Sequence, residues 1–557
     1  MGTKSFLKTI WWVRTAIIIL IIQNPAISVA QDLPDDLSVH GNIYSASMYY
    51  LKDSITGLYH NSARFRSNNH GNLNVRYKRF SIGVRYEAYL PPLLGYNNMY
   101  KGQGIPYRYA SWENSFISAT VGNFYEQFGG GLILRAYEEN DLGIDNSLDG
   151  IRLSFKPFRG ITLKGFTGRQ RYYWDKGAGI VSGVDGEYDI SEIFRHTISA
   201  SIIAGVGFVS RFQPDNDPLY KLPENVGAFE ARFTYSNGSV FFNAEYAWKV
   251  NDPSILNNMI YKNGQALIFS SSYSLKGFGL QVSGKWIDNM DFRSAREALS
   301  NELTLSYIPV SFTQKTYSLP AMYSYPSQPL GEAAAQIQAD RKFPAGSFLG
   351  GKYGTSITII TSFANDIKKL PVNDSTPIGM SGTKGYLSEL FSIGKEKYYR
   401  DYSMEISKKI TSIFKTVLGV SYIYYNKAII EGHPEEDDVK SWIIWCDLSI
   451  KITGDKNLRV EAQNLNTHQD KGSWAMALME FTISPNWSFT LTDQYNYGNN
   501  NRQKRIHYPH LDMTYAAGSQ KISLSFGRQR EGILCIGGVC RYVPSSMGLG
   551  LIYSITL

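Results

Sequence analysis

Phe80-Ser81-Ile82-Gly83-Val84-Arg85-Tyr86-Glu87-Ala88 alternates an apolar set, Phe80, Ile82, Val84, Tyr86 and Ala88, with Ser81, Gly83, Arg85 and Glu87. A period of two sends the sets to opposite faces of a β-strand. One apolar face and one carrying a charge of each sign suits a strand between lipid and a watery lumen, or one in a half-buried soluble sheet. The pattern recurs. Val240, Phe242, Ala244, Tyr246 and Trp248 oppose Asn243 and Glu245; Leu458, Val460 and Ala462 oppose Arg459, Glu461 and Gln463; Ile522, Leu524 and Phe526 oppose Ser523 and Ser525. The inward set of charges mixes both signs and predicts internal ion pairs.

The connections decide between barrel and sandwich. Short turns are read at Lys78-Arg79, Pro157 to Gly160, Asn237-Gly238, Lys276-Gly277, Ser311 to Lys315, Phe343 to Gly346, Thr411 to Lys415, Gly454 to Asn457, Pro485-Asn486 and Ala517 to Ser519. Between them lie long polar segments, Lys52 to His70, Pro91 to Gly104, Gln213 to Pro223, Asp288 to Ala298, Asp366 to Tyr398 and Glu431 to Val439. Tight turns at one end and long loops at the other are the plan of a transmembrane barrel with short periplasmic turns and long extracellular loops. Hairpin counting from Val39 gives about 26 strands, with about 22 as the lower reading, and an even number if both ends share the periplasmic side. The fold class is therefore all-β, a single large antiparallel transmembrane β-barrel over residues 39–557.

The chain ends as a strand, with Leu549, Leu551, Tyr553, Ile555 and Leu557 alternating with Gly548, Gly550, Ser554 and Thr556. An apolar edge of this kind invites aggregation unless the sheet closes. Residues 548–557 resemble the signal read by the barrel-insertion machinery, with Leu557 in place of the usual terminal aromatic residue. Composition agrees: 39 Tyr, 28 Phe, 10 Trp and 50 Gly accompany a mean hydropathy of −0.24. Half of each barrel strand faces water, and aromatic residues crowd the interfaces.

Lys4, Lys8 and Arg14, the run Ala16 to Ile22 and the small residues Ser28 and Ala30 read as a signal peptide over residues 1–30, cleaved before Gln31. Residues 31–38 then form a short periplasmic segment. Cysteines lie only at 446, 535 and 540, so no lipid-anchor cysteine follows the cut. Removing residues 1–30, with three basic and no acidic side chains, lowers the formal charge from +8 to +5, which gives no reason to expect nucleic acid as a partner.

No motif for catalysis, a cofactor or a metal is found, so none of these is expected. His507 and His510 are close in sequence, but Pro509 interrupts their spacing. Cys535 and Cys540 bracket a Gly-Gly turn and form a candidate loop disulfide, while Cys446 sits in a strand as a free thiol. Gly168-Arg169-Gln170-Arg171 and Gly527-Arg528-Gln529-Arg530 repeat one tetrapeptide near the outer end of a strand. Continued alternation puts Arg528 and Arg530 on the lipid side at the height of lipopolysaccharide phosphates, which suit the guanidinium fork; a bulge would turn them inward. The stretch Gly122 to Asp149 holds three consecutive glycines and the acids Glu126, Glu138, Glu139, Asp141, Asp145 and Asp149. Three glycines disfavour a strand interior and predict a folded loop. It either dips into the lumen as a constriction that favours cations, or stays outside as a solvated lid.

GNFYEQFGGGLILRAYEENDLGIDNSLDGIRL from Gly122, GGKYGTSI from Gly350 and FGRQREGILCIGGVCRYVPSSMG from Phe526 resemble a family of Bacteroidota outer-membrane proteins filed among the domains of unknown function. The resemblance spans most of the mature chain and implies an outer-membrane barrel; it carries no activity and no site residues. The expected location is the outer membrane, in contact with its lipid and lipopolysaccharide. Strand-like sequence from Val39 leaves no room for the plug domain of TonB-dependent transporters. A passive, porin-like channel for small solutes or saccharides is the first expectation. A non-conducting partner of a surface lipoprotein or secretion complex is the second, and a lipid-modifying enzyme the third.

Overall fold

The computed structural model describes residues 36–56, 63–194, 200–537 and 539–557. The expected signal peptide 1–30 and most of the segment 31–38 lie outside the described residues. The main sheet has 24 strands, each antiparallel to its neighbours. It closes on itself: Leu37–Tyr50 pairs with Phe65–Tyr77 on one side and with Ser546–Thr556 on the other, from Asn42↔Thr556 to Tyr50↔Gly548. The C-terminal strand thus seals the edge that its sequence left unprotected.

Alternation in the sequence becomes inside and outside in the barrel. Along Phe80–Tyr89 the side chains of Phe80 and Ile82 are 59% and 58% exposed, whereas Arg85 and Glu87 are 2% and 3%. Along Val240–Lys249, Tyr246 points outward while Glu245, Ala247 and Lys249 are buried inside. Apolar side chains also cover the outward positions of the closing strands, among them Leu491, Leu511, Leu524, Phe526 and Leu549. A closed sheet with an apolar outer band and a polar interior satisfies the backbone throughout and presents to lipid only what lipid tolerates. The fold is a large barrel of the outer-membrane type. Among the described residues no helix is long and apolar enough to cross a membrane.

The ends of the barrel differ. At one end the strands turn tightly, as at Asn237-Gly238 and Lys276-Gly277, where Gly238 and Gly277 have φ of +73° and +79°. Such left-handed turn positions select glycine. The other end carries the long connections, with one exception, Tyr173-Trp174, which alone joins Ile161–Tyr172 to Asp175–Asp189.

The total of 24 lies within the expected 22 to 26. Ser311 to Lys315 is not a periplasmic turn. It lies midway along a single connection, residues 289–330, between Phe278–Asp288 and Gly331–Phe343, which pair directly. This connection runs through the interior of the barrel and forms no hairpin of the sheet at Ser311 to Lys315.

Candidate functional site: a lumen filled by three connections

Three long connections turn inward and meet inside the barrel. The first is the glycine-rich segment after Ile117–Phe124. Gly129 and Gly131 have φ of +49° and +98°, and a Cβ on Gly129 would stand 2.6 Å from Glu230 Oε1 and 2.7 Å from Glu245 Oε2. Only glycine reaches this close to the wall carboxylates. The approach lets the Gly130 and Leu132 amides donate to Glu245 at 2.5 and 3.3 Å. On either side of the turn, Phe128 and then Leu132, Ile133 and Leu134 are fully buried against inward wall residues such as Phe166, Val209 and Ala247. The segment therefore lies within the lumen, the first of the two placements open to it in sequence.

Its acids do not form a ring of free carboxylates. Glu126 accepts from Arg152 at 2.5 Å and Lys164 at 3.1 Å; Glu138 accepts from Arg85 at 2.6 Å. Asp145 lies between Arg171, at 2.6 Å, and Arg85, while Arg171 also grips Glu87 through both oxygens at 2.9 and 2.7 Å. Burial raises the pKa of Asp145, but the Arg171 and Arg85 guanidinium groups outweigh it and hold the carboxyl below its usual range. Glu138 goes the other way: its desolvation dominates over Arg85. Glu139 caps the Asp141 amide at 3.4 Å, and Asp141 is exposed. Three of the five candidate constriction acids are thus neutralised by cationic side chains of the wall. The expected ion pairs between wall charges are present too, at Arg85–Glu87 and Arg459–Glu461.

The second inward segment is 289–330. Its first part, with Met290, Phe292, Leu305 and Ile308, completes the apolar cluster around the glycine-rich segment. Its second part packs Leu319, Tyr323 and Tyr325 against Tyr399, Tyr425, Trp445 and Trp474 of the opposite wall. Polar contacts fix the crossing. Lys285 and Glu332, both fully buried, are 2.9 Å apart, and Lys285 also donates to the Pro309 carbonyl at 3.1 Å and to Ser327 at 2.8 Å. Lys315 pairs with Asp401 at 2.5 Å, and the Leu319 amide donates to Gln463 at 2.9 Å.

The third is a hairpin of Gly532–Ile536 and Val539–Val543, closed by a disulfide between Cys535 and Cys540. It ties the other two together. Tyr307 donates to the Gly537 carbonyl at 2.6 Å, Asn301 to the Cys540 carbonyl at 2.8 Å and Gln314 to the Cys535 carbonyl at 3.2 Å. Arg541 in turn donates to the Asp141 carbonyl at 2.5 Å.

The fully buried apolar residues of the two large clusters come from wall strands between Phe124 and Met476 and from the inward segments. None comes from the strands flanking the closure: Trp487–Tyr495, His507–Ala517, Gln520–Gln529, Ser546–Thr556, Leu37–Tyr50 and Phe65–Tyr77. Their inward positions are mostly polar or small, with Tyr44, Met48, Tyr50, Tyr508 and Ile552 as larger members. Asn72 donates to the exposed Asn42 at 2.8 Å, Tyr109 donates to Asn74 at 3.1 Å, and Thr514 and Ser523 share a hydrogen bond of 2.9 Å.

The paired tetrapeptides agree in their second arginine and differ in their first. Arg169 is exposed and Arg528 is bound through two nitrogens by Asp53, at 2.7 and 3.1 Å. The second arginine of each turns inward. Arg171 enters the Glu87–Asp145 cluster, and Arg530 lies 6.0 Å from the ring centroid of Trp474 while donating to Gln494 at 2.8 Å. Cys446 is unbonded, on the outward face opposite Trp445. His507 and His510 lie beside Asp493 and Asp512, and no group of three or more metal-binding side chains occurs among the described residues.

Comparison with solved structures returns large barrels at low identity. The ferric enterobactin receptor PfeA of Pseudomonas aeruginosa is 10% identical, with 93% of this chain and 80% of that chain covered and a TM-score of 0.43. The P pilus usher (PapC) translocation pore is 9% identical over 94% and 99%, with a TM-score of 0.42. OccK3 (OpdO) of Pseudomonas aeruginosa is 11% identical over 79% and 96%, with a TM-score of 0.35. At such scores the assignment of the fold stands on this chain's own strands and register. No curated protein matches the sequence. A family profile does, over residues 7–557, and the chain belongs to that Family of unknown function (DUF6029).

Proposed function

We propose that the protein resides in an outer membrane and is a restricted channel for small polar solutes, in which the inward connections narrow the lumen and leave a hydrated lane beside the closure. The observation that carries this reading is the division of the wall. Strands from Phe124 to Met476 present apolar residues that pack on the inward segments, whereas those flanking the closure present Asn42, Asn72, Asn74, Thr514 and Ser523. Burying such a polar face against apolar side chains is unfavourable, so water is its natural neighbour. Because Glu126, Glu138 and Asp145 are paired with cations, the passage has no free acidic ring and is expected to select weakly between cations and anions. Exposed Arg169, near the outer end of its strand, is the arginine of the two tetrapeptides best suited to a lipopolysaccharide phosphate.

The test is single-channel recording from folded protein in a planar bilayer. Small ohmic steps with little preference for either ion would support the reading. Silence from demonstrably folded barrel would overturn it in favour of the non-conducting partner.

A further inference from the structure

At the long-connection end, a cavity of about 320 Å³ opens where five separate connections meet. We propose that this cavity is a binding site for a saccharide of one or two sugar units. Its volume is at the small end of the range for small-molecule sites.

Its chemistry is mixed in the way that sugars require. Glu302 lines the cavity, accepting from the Tyr173 hydroxyl at 2.7 Å and, more weakly, from the Tyr172 hydroxyl and the Asn97 amide at 3.4 Å. Asn301 spends its amide nitrogen on the Cys540 carbonyl, which leaves its oxygen to accept. Arg541 lies 4.4 Å from the Tyr96 ring centroid and donates from Nε to the Asp141 carbonyl, while its buried Nη1 has no partner among the described residues. A carboxylate, two amides, a guanidinium and phenol hydroxyls together offer donors and acceptors in several directions, matching a ring of hydroxyls. The Tyr172 and Tyr173 rings, with centroids 4.9 Å apart and planes tilted by 56°, add aromatic surface that suits the apolar face of a pyranose.

Two observations favour a sugar over an anion. The other arginine at the cavity, Arg171, is already held by Glu87 and Asp145, and the Glu302 carboxylate opposes any further negative charge. Binding in this cavity is read without any current, so its failure is distinguishable from failure of the channel reading.

Isothermal titration of the full chain in a detergent without a sugar headgroup tests this, with glucose, N-acetylglucosamine, maltose and cellobiose as probes. At least one is expected to bind with a dissociation constant of about 1 mM or lower. Tyr172→Ala, which removes a ring at the mouth, and Glu302→Gln are each expected to weaken that binding about tenfold. Heat-modifiable gel mobility confirms that each variant barrel is folded. No binding of any probe at about ten times that concentration, or unchanged affinity in both folded variants, would overturn the proposal.

Discussion

Glu245 is the wall group on which the glycine-rich segment hangs, so Glu245→Ala should loosen that segment inside an intact barrel. In the native structure its carboxylate accepts from the half-buried Gly130 amide at 2.5 Å and from the buried Leu132 amide at 3.3 Å. A hydrogen bond to a charged group contributes about 1.5–3 kcal/mol, and the longer contact counts for less. Removing the carboxylate also relieves its crowding with Glu230 across Gly129, which offsets part of the loss. A net cost of about 2 kcal/mol remains, which raises the fraction of time that the segment is displaced roughly thirtyfold. The barrel strands keep their pairing, so the effect is on gating rather than on folding. Single-channel recording should show openings of larger conductance many times more often than in the native protein, with normal heat-modifiable mobility. An opening frequency within twofold of native, in a folded variant, would refute the idea that this segment limits the passage.

Other parts of the interior give further expectations. Replacing Cys535 and Cys540 by serine removes a loop closure of about 2 kcal/mol from the hairpin that bonds to Tyr307, Asn301 and Gln314; larger openings should become more frequent, and reductant should reproduce this in the native chain but not in the variant. Lys285→Ala leaves the fully buried Glu332 without its partner and should lower unfolding stability by about 3–5 kcal/mol, read from the urea midpoint in micelles. Acid should act in two stages. Glu138 has a raised pKa, so its contribution is complete below the ordinary glutamate range near ~4.3 and is lost as pH rises through its higher folded value; lowering pH from 7 to about 5 should not release the inward segments. Asp145 has a lowered pKa, so its contribution is complete above the ordinary aspartate value near ~3.9 and disappears as pH falls through its folded value; frequent large openings should begin only below about pH 3.9. Openings that increase steadily from pH 7 to 5 would contradict this assignment of the two acids.

Much of the barrel is legible in the sequence because lipid and water impose a period of two on each strand. Phe80–Tyr89 and Val240–Lys249 show it without interruption, and the closing strand shows it up to the last residue. Phe65–Tyr77 is less legible. It begins Phe-Arg-Ser-Asn-Asn-His-Gly and reads as loop, yet Asn68, His70, Asn72 and Asn74 are the inward positions of a paired strand, polar because the lumen is polar. Residues 303–308 mislead in the other direction. Leu303 and Leu305 alternate with Thr304 and Ser306 as a wall strand would, but a connection that buries Leu305 on the apolar wall and Leu303 beside Ala295 and Ala298 produces the same pattern without joining the sheet. Local periodicity reports which face is apolar and cannot report what the face meets.

The functional region divides similarly. Three glycines beside a cluster of acids mark the inward segment, and the placement of Cys535 and Cys540 around a Gly-Gly turn marks the hairpin. The cavity of Asn97, Tyr172, Tyr173, Asn301, Glu302 and Arg541 left no local signal, because its residues come from connections far apart in the chain and only closure of the barrel brings them together. The pairing of the constriction acids was equally hidden, since Arg85, Arg152, Lys164 and Arg171 approach them from other strands.

The most direct test of the account is the single-channel current of the folded native protein, recorded with and without the Glu245→Ala substitution under identical conditions. The account predicts small steps from the native protein and frequent larger ones from the variant. A steady, large conductance from the native protein would contradict a lumen filled by its own connections, and silence from both would contradict a channel.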